Sequence, residues 1–198
     1  IYLPREKVTE DLPVFLFFHG GGWVTDCIDN YERICARLAS ATEHIVVSVE
    51  YRLAPEHPFP TGFMDCYAVA KAIYTNRFIL NVNPQRITLI GDSAGGNLAA
   101  ALSLLARDRG EFLPKRQILI YPALYGDYSD ASPYPSVREN GSDYLLTAGK
   151  MRDYIELYAS SEKDKKNPYF APLLAEDYKN QPKTLILTAE FDPLRDEG

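Results

Sequence analysis

Five short apolar runs, each continuous rather than alternating, constrain this chain most. They are Val14-Phe15-Leu16-Phe17-Phe18, Ile45-Val46-Val47-Ser48-Val49, Ile87-Thr88-Leu89-Ile90, Gln117-Ile118-Leu119-Ile120-Tyr121 and Thr184-Leu185-Ile186-Leu187. An alternating run marks a strand wet on one face, whereas a continuous run rich in β-branched and aromatic residues marks a strand buried on both. Between the runs lie stretches with helical spacing at residues 31–40, 61–74, 94–107 and 148–159. Strand and helix in alternation predict an α/β fold with a mostly parallel central sheet, right-handed crossovers and helices on both faces.

Charge and length narrow the function classes. Lys and Arg number 21 against 27 Asp and Glu, so the net charge is 21 − 27 = −6, which argues against a nucleic-acid footprint. No stretch approaches the ~20 apolar residues of a membrane span, so stable membrane insertion is not expected. Cys27, Cys35 and Cys66 form no C-x-x-C pair, which points away from a disulfide framework or zinc cluster and toward reduced thiols in the cytoplasm. At 198 residues a single domain spanning 1–198 is the default. Pro, Gly and Tyr residues break the rhythm between 121 and 146, so an irregular pocket or cap insertion is expected at about 122–160. Its Tyr125, Tyr128, Tyr134 and Tyr144 are read as packing residues ahead of ligands. Residues 54–60 hold three prolines and read as a stiff excursion from the sheet.

Two motifs carry chemistry. Gly91-Asp92-Ser93-Ala94-Gly95 fits G-x-S-x-G between a strand and a helix. Glycines on either side of a serine relieve Cβ crowding in a tight strand-to-helix turn, and the helix N-terminus favours developing negative charge. The competing reading is a glycine-rich turn with an incidental serine. His19-Gly20-Gly21-Gly22-Trp23 follows the first strand, and consecutive glycines let backbone N–H groups point at one oxygen, as an oxyanion hole requires. Its competitor, a loop that is glycine-rich only for flexibility, weakens once both motifs occur in this order.

With Tyr51-Arg52-Leu53-Ala54-Pro55-Glu56-His57-Pro58-Phe59-Pro60 and Asp192-Pro193-Leu194-Arg195-Asp196 added, the chain resembles the hormone-sensitive-lipase-like carboxylesterases of the α/β-hydrolase family. The resemblance implies an α/β-hydrolase fold and ester hydrolysis through an acyl-enzyme. Ser93 matches the nucleophile, and the N–H groups of Gly21, Gly22 and Ala94 match the oxyanion hole. Asp192 matches the acid that orients the catalytic imidazole. His19, Gly20, Gly91, Asp92 and Gly95 match supporting positions. Asp196 is the competing acid, expected to face solvent one turn further on. Acyl transfer by this route implies no metal and no organic cofactor; Asp29 and Asn30 read as a helix N-cap region before Tyr31 rather than as ligands.

The resemblance leaves one role unfilled. The family order is Ser, Asp, then His, yet only 198 − 192 = 6 residues follow Asp192 and none is His. His19, His44 and His57 all precede Ser93 and read as structural. The sequence is therefore expected to be cut at both ends, its sheet incomplete and its base beyond Gly198, with this chain alone nearly inactive. The expected substrate is a small-molecule ester with a short acyl chain, and a homodimer through a sheet edge is open. The alternative is a receptor-like protein of the same fold that binds a small molecule without turning it over.

Overall fold

A computed structural model describes residues 1–4, 12–75 and 82–198. The five apolar runs form five strands, β1 (Val14–Phe18), β2 (Ile45–Ser48), β3 (Ile87–Asp92), β4 (Arg116–Ile120) and β5 (Lys183–Leu187). They make one sheet in the order β2-β1-β3-β4-β5, every neighbouring pair parallel. Five helices accompany them: α1 (Ile28–Thr42), α2 (Thr61–Thr75), α3 (Ala94–Arg109), α4 (Pro135–Glu139) and α5 (Ala148–Tyr158).

Strand β1 shows why its run is unbroken. Val14, Leu16 and Phe18 join the large core with residues of α2 and α3, while Phe15 and Phe17 point the other way, toward Cys35 and Ala39 of α1. Both faces of one strand are thus covered, as a parallel sheet demands. The chain leaves β1 toward β2 on one side and crosses from β2 to β3 on the other. Strand order reverses between β1 and β3, and in open α/β sheets the crevice at that switch point is where ligands bind.

The expected double burial fails at β5. All five of its residues are exposed, with Leu185 at 52% and Leu187 at 47%. It hydrogen-bonds to β4 alone, so it is the edge of the described sheet, and an apolar run predicts burial only where a layer lies over it. Two further boundaries differ. Helix α1 begins at Ile28, three residues before Tyr31, so Asp29 and Asn30 lie in its first turn; Cys27 takes the cap position without a side-chain bond. The expected irregular stretch contains the short helix α4, which Pro135 opens.

Four aromatic rings tie the excursion at 54–60 and the segment beyond β4 to the core. Trp23 stacks on Tyr158 with ring centres 4.6 Å apart, and Phe170 lies 6.3 Å from Trp23, 5.4 Å from Phe59 and 5.0 Å from Tyr158. Phe59 also donates its N–H to the Tyr158 carbonyl at 2.8 Å, so α5 is held to the excursion by backbone as well as rings. Phe170→Ala should lower unfolding stability by about 3–5 kcal/mol, read by denaturant titration, because it opens a cavity where three rings meet.

Candidate functional site

Parallel strands point all their carboxyl ends to one edge, and each sequence motif leaves the sheet there. The glycine loop follows β1, Ser93 follows β3, Tyr121 follows β4, and Asp192 lies beyond the end of β5. Backbone bonds carry the contact sideways. Ser93 N–H donates to the Ile120 carbonyl at 2.9 Å, and Tyr121 N–H donates to the Leu187 carbonyl at 2.5 Å.

The turn at Ser93 is strained. Ser93 has φ 53° and ψ −118°, a positive φ that costs a side-chain-bearing residue about 1–3 kcal/mol and persists only when surroundings enforce it. The enforcement is steric. A Cβ on Gly95 would sit 2.0 Å from the Phe18 carbonyl oxygen, and one on Gly91 would meet the Gly95 backbone at 2.3 Å. Glycine at these two positions lets the start of α3 lie directly against the end of β1.

A polar strap joins the two motifs. Gly20 N–H donates to Asp92 Oδ1 at 3.1 Å, and the Tyr31 hydroxyl donates to Asp92 Oδ2 at 2.8 Å. The residue before Ser93 therefore holds the first glycine of the loop. Burial, more than any neighbour, raises the Asp92 pKa from its ordinary value, and burial with the adjacent Asp92 charge raises that of Tyr31. His19, fully buried, fixes the same loop from beneath. Its Nδ1 lies 2.7 Å from the Gly20 carbonyl oxygen, its ring stacks on Tyr51 at 4.3 Å, and the Tyr51 hydroxyl donates to the His19 carbonyl at 2.7 Å. Gly21 and Gly22 have φ +101° and +60°, and Gly22 lies so close under the Tyr154 ring that a Cβ would meet it at 2.5 Å.

Asp192 is half-buried, and desolvation raises its pKa. Its Oδ1 accepts the Leu194 N–H at 2.8 Å, while its carbonyl accepts from Arg195 N–H at 3.1 Å and Asn140 Nδ2 at 3.2 Å. Burial raises the Tyr121 pKa above its ordinary value, and the charges of Asp92 and Asp192 add to it. Asp196, expected to face solvent, is partly exposed and also bonded. It accepts from Ser136 N–H at 2.7 Å and pairs with Arg195 at 2.8 Å, because the turn folds back onto α4. His44 stacks on Phe15 at 4.0 Å, and His57 is exposed on the excursion. Of the four insertion tyrosines, Tyr128 is buried, Tyr125 meets Tyr134 edge-on at 5.3 Å, and Tyr144 stacks on Phe191 at 5.4 Å.

Tyr31, Tyr154 and Glu197 stand in or around this site without having been given a site role from the sequence, and Tyr51 entered only as part of the block that carries the resemblance. Their partners in space lie 11 to 132 positions away, as with Tyr31 to Gly20, Glu197 to Leu124 and Tyr154 to Gly22, and no local pattern encodes them.

Comparison with known proteins fits this geometry. A family profile described as alpha/beta hydrolase fold matches residues 15–198. The chain belongs to the α/β-hydrolase fold family. It is 39% identical over 199 residues to an arylesterase of Saccharolobus solfataricus, covering 100% of this chain and 63% of that protein. It is 37% identical over 201 residues to carboxylesterase NlhH of Mycobacterium tuberculosis, covering 100% of this chain and 61% of that one. A hyperthermophilic esterase from Pyrobaculum calidifontis superposes with a TM-score of 0.90 at 44% identity, over 98% of this chain and 63% of that one. The chain thus spans under two thirds of the length of these relatives. Among the described residues, no helix is long and apolar enough to cross a membrane.

Glu197 gives this α/β hydrolase a pH-dependent stability. Burial pushes its carboxyl up to about 8 from an ordinary value of 4.5, against the pull of three hydrogen bonds. The folded chain keeps this proton while the unfolded chain releases it, so stability falls as pH rises from about 4.5 to about 8. Glu197→Gln should remove that component: melting temperatures taken between pH 5 and 8 should decline less steeply than in the parent.

Proposed function

We propose that this protein is a serine carboxylic-ester hydrolase of the hormone-sensitive-lipase-like branch, acting on small-molecule esters. The observation that carries the reading is the bond from Gly20 N–H to the Asp92 carboxylate, which ties the glycine loop to the residue before a serine of positive φ. In this reading Ser93 Oγ attacks the ester carbonyl and the tetrahedral oxyanion is held by the N–H groups of Gly21, Gly22 and Ala94. Collapse expels the alcohol and leaves an acyl-enzyme, which water then hydrolyses. Asp192 orients the imidazole that takes the Ser93 proton and returns it to the leaving alcohol. His19, His44 and His57 all precede Ser93 in these 198 residues, which span 63% of the arylesterase's length. The names of the three relatives above, each an esterase, support the choice of ester over other acyl substrates. Three free cysteines agree with a cytoplasmic setting.

The test uses the full reading frame and a p-nitrophenyl ester of a short acid. Ser93→Ala should lower kcat by about 10⁴-fold or more, and a fluorophosphonate should label the parent at Ser93 and leave the variant unlabelled. Parent-level hydrolysis by Ser93→Ala would refute the mechanism. A full-length parent that binds the ester without turnover would instead favour the receptor-like alternative.

A further inference from the structure

Glu197 is a buried carboxyl that the acyl-transfer reaction does not use. It is 4% exposed, and its Oε2 accepts three hydrogen bonds, from Leu124 N–H at 2.6 Å, Tyr125 N–H at 3.0 Å and the Tyr128 hydroxyl at 3.1 Å. None of these donors is a cation. Burying a carboxyl this way costs free energy that an apolar side chain would not, so the bonds must achieve something packing alone does not.

What they achieve is a join between two segments. The donors lie just past β4, on the stretch whose Ala123 N–H donates to the Ser93 carbonyl at 3.3 Å. Asn97 Nδ2 pins the same stretch by donating to the Ala123 carbonyl at 2.8 Å. Glu197 itself closes the turn that begins at Asp192. Its N–H donates to the Leu194 carbonyl at 3.2 Å, and Leu194 N–H in turn donates to Asp192 Oδ1 at 2.8 Å. The outer side of the turn is held separately, with Ser136 Oγ donating to the Pro193 carbonyl at 2.8 Å and Asn140 to the Asp192 carbonyl. Ser136 and Asn140 thus fix the turn to α4, and among the described residues it is the Glu197 carboxyl that hydrogen-bonds the turn to the stretch bonded to Ser93. β4 and β5 bring the two segments to the same sheet edge, but the last bond between those strands lies five residues before Asp192, at Leu187.

We propose that Glu197 is a positioning residue that sets Asp192 against Ser93 by clamping the acid turn to the Leu124–Tyr128 stretch. The proposal rests on the reading above, in which Ser93 is the nucleophile and Asp192 the acid. A loosened clamp misaligns the acid without touching substrate, so it lowers kcat and leaves KM in place. Its effect also vanishes once Asp192 is gone.

The experiment measures kcat and KM of the full-length enzyme on a p-nitrophenyl ester, with folding checked by circular dichroism. Glu197→Leu should lower kcat about tenfold or more with KM within about twofold, while Glu197→Gln, whose amide oxygen still accepts both N–H groups, should stay within about threefold of the parent. In an Asp192→Asn background Glu197→Leu should cost nothing further. Glu197→Asp, one methylene too short to reach, covers the case in which the leucine variant does not fold and should also lose kcat at constant KM. A folded Leu or Asp variant with parent kcat, a Gln variant as impaired as Leu, or losses that multiply with Asp192→Asn would each overturn the clamp. Parent-level activity in Asp192→Asn would overturn the functional reading itself, whereas an inactive Asp192→Asn beside an unaffected Glu197→Leu overturns the clamp alone.

Discussion

The close approach of Gly95 to the carbonyl of Phe18 is the constraint from which the rest of the site follows. Where a Cβ would lie 2.0 Å from that oxygen, only glycine lets the first turn of α3 rest on the end of β1. That contact forces the tight turn at Ser93 into positive φ, brings Asp92 beneath the glycine loop, and leaves Gly20 N–H within reach of its carboxylate. Sheet order does the remainder, since β1 and β3 are neighbours at the reversal point and their carboxyl-end loops leave the same sheet edge side by side, where such folds bind ligands.

Much of this was legible in the sequence because it is encoded locally. Continuous apolar runs gave the strands within a residue or two, since burial on both faces leaves no polar alternation to interpret. The glycines at 91, 95 and 20–22 marked the turn and the loop, because backbone proximity excludes every other residue type. What escaped was set by partners far along the chain. Tyr31 looks like any helix residue until the fold places its hydroxyl on Asp92, 61 positions away, and Glu197 looks like solvent-facing charge until it meets Leu124. Strand β5 misled in the opposite sense, for its apolar run reports preference for burial while exposure depends on which layer lies above it.

The carboxylates around the crevice share an unusual electrostatic condition. Asp92, Asp192 and Glu197 all have pKa values raised chiefly by burial, and all are held by backbone or hydroxyl donors rather than by guanidinium or ammonium groups among the described partners. Acids paired with cations are found at the periphery, as with Asp65 under Arg52 and Glu111 under Lys71, and in the acid turn itself, where Asp196 meets Arg195. Neutral donors fix the direction of each group without a counter-cation; Glu197 keeps its proton up to about pH 8, and the ionised Asp192 is the group beside which an imidazolium would develop.

The strap through Tyr31 has a mechanical side. Tyr31 belongs to α1, which rests on the smaller apolar layer of Phe15, Phe17, Cys35 and Ala39, on the face of the sheet opposite α2 and α3. Its hydroxyl reaches past the strand ends to the residue beside Ser93, so the seating of α1 is transmitted to the crevice as a rigid lever. Packing on the far face of the sheet therefore enters the geometry of the near one, and a helix that touches no substrate helps decide where the oxyanion loop stands.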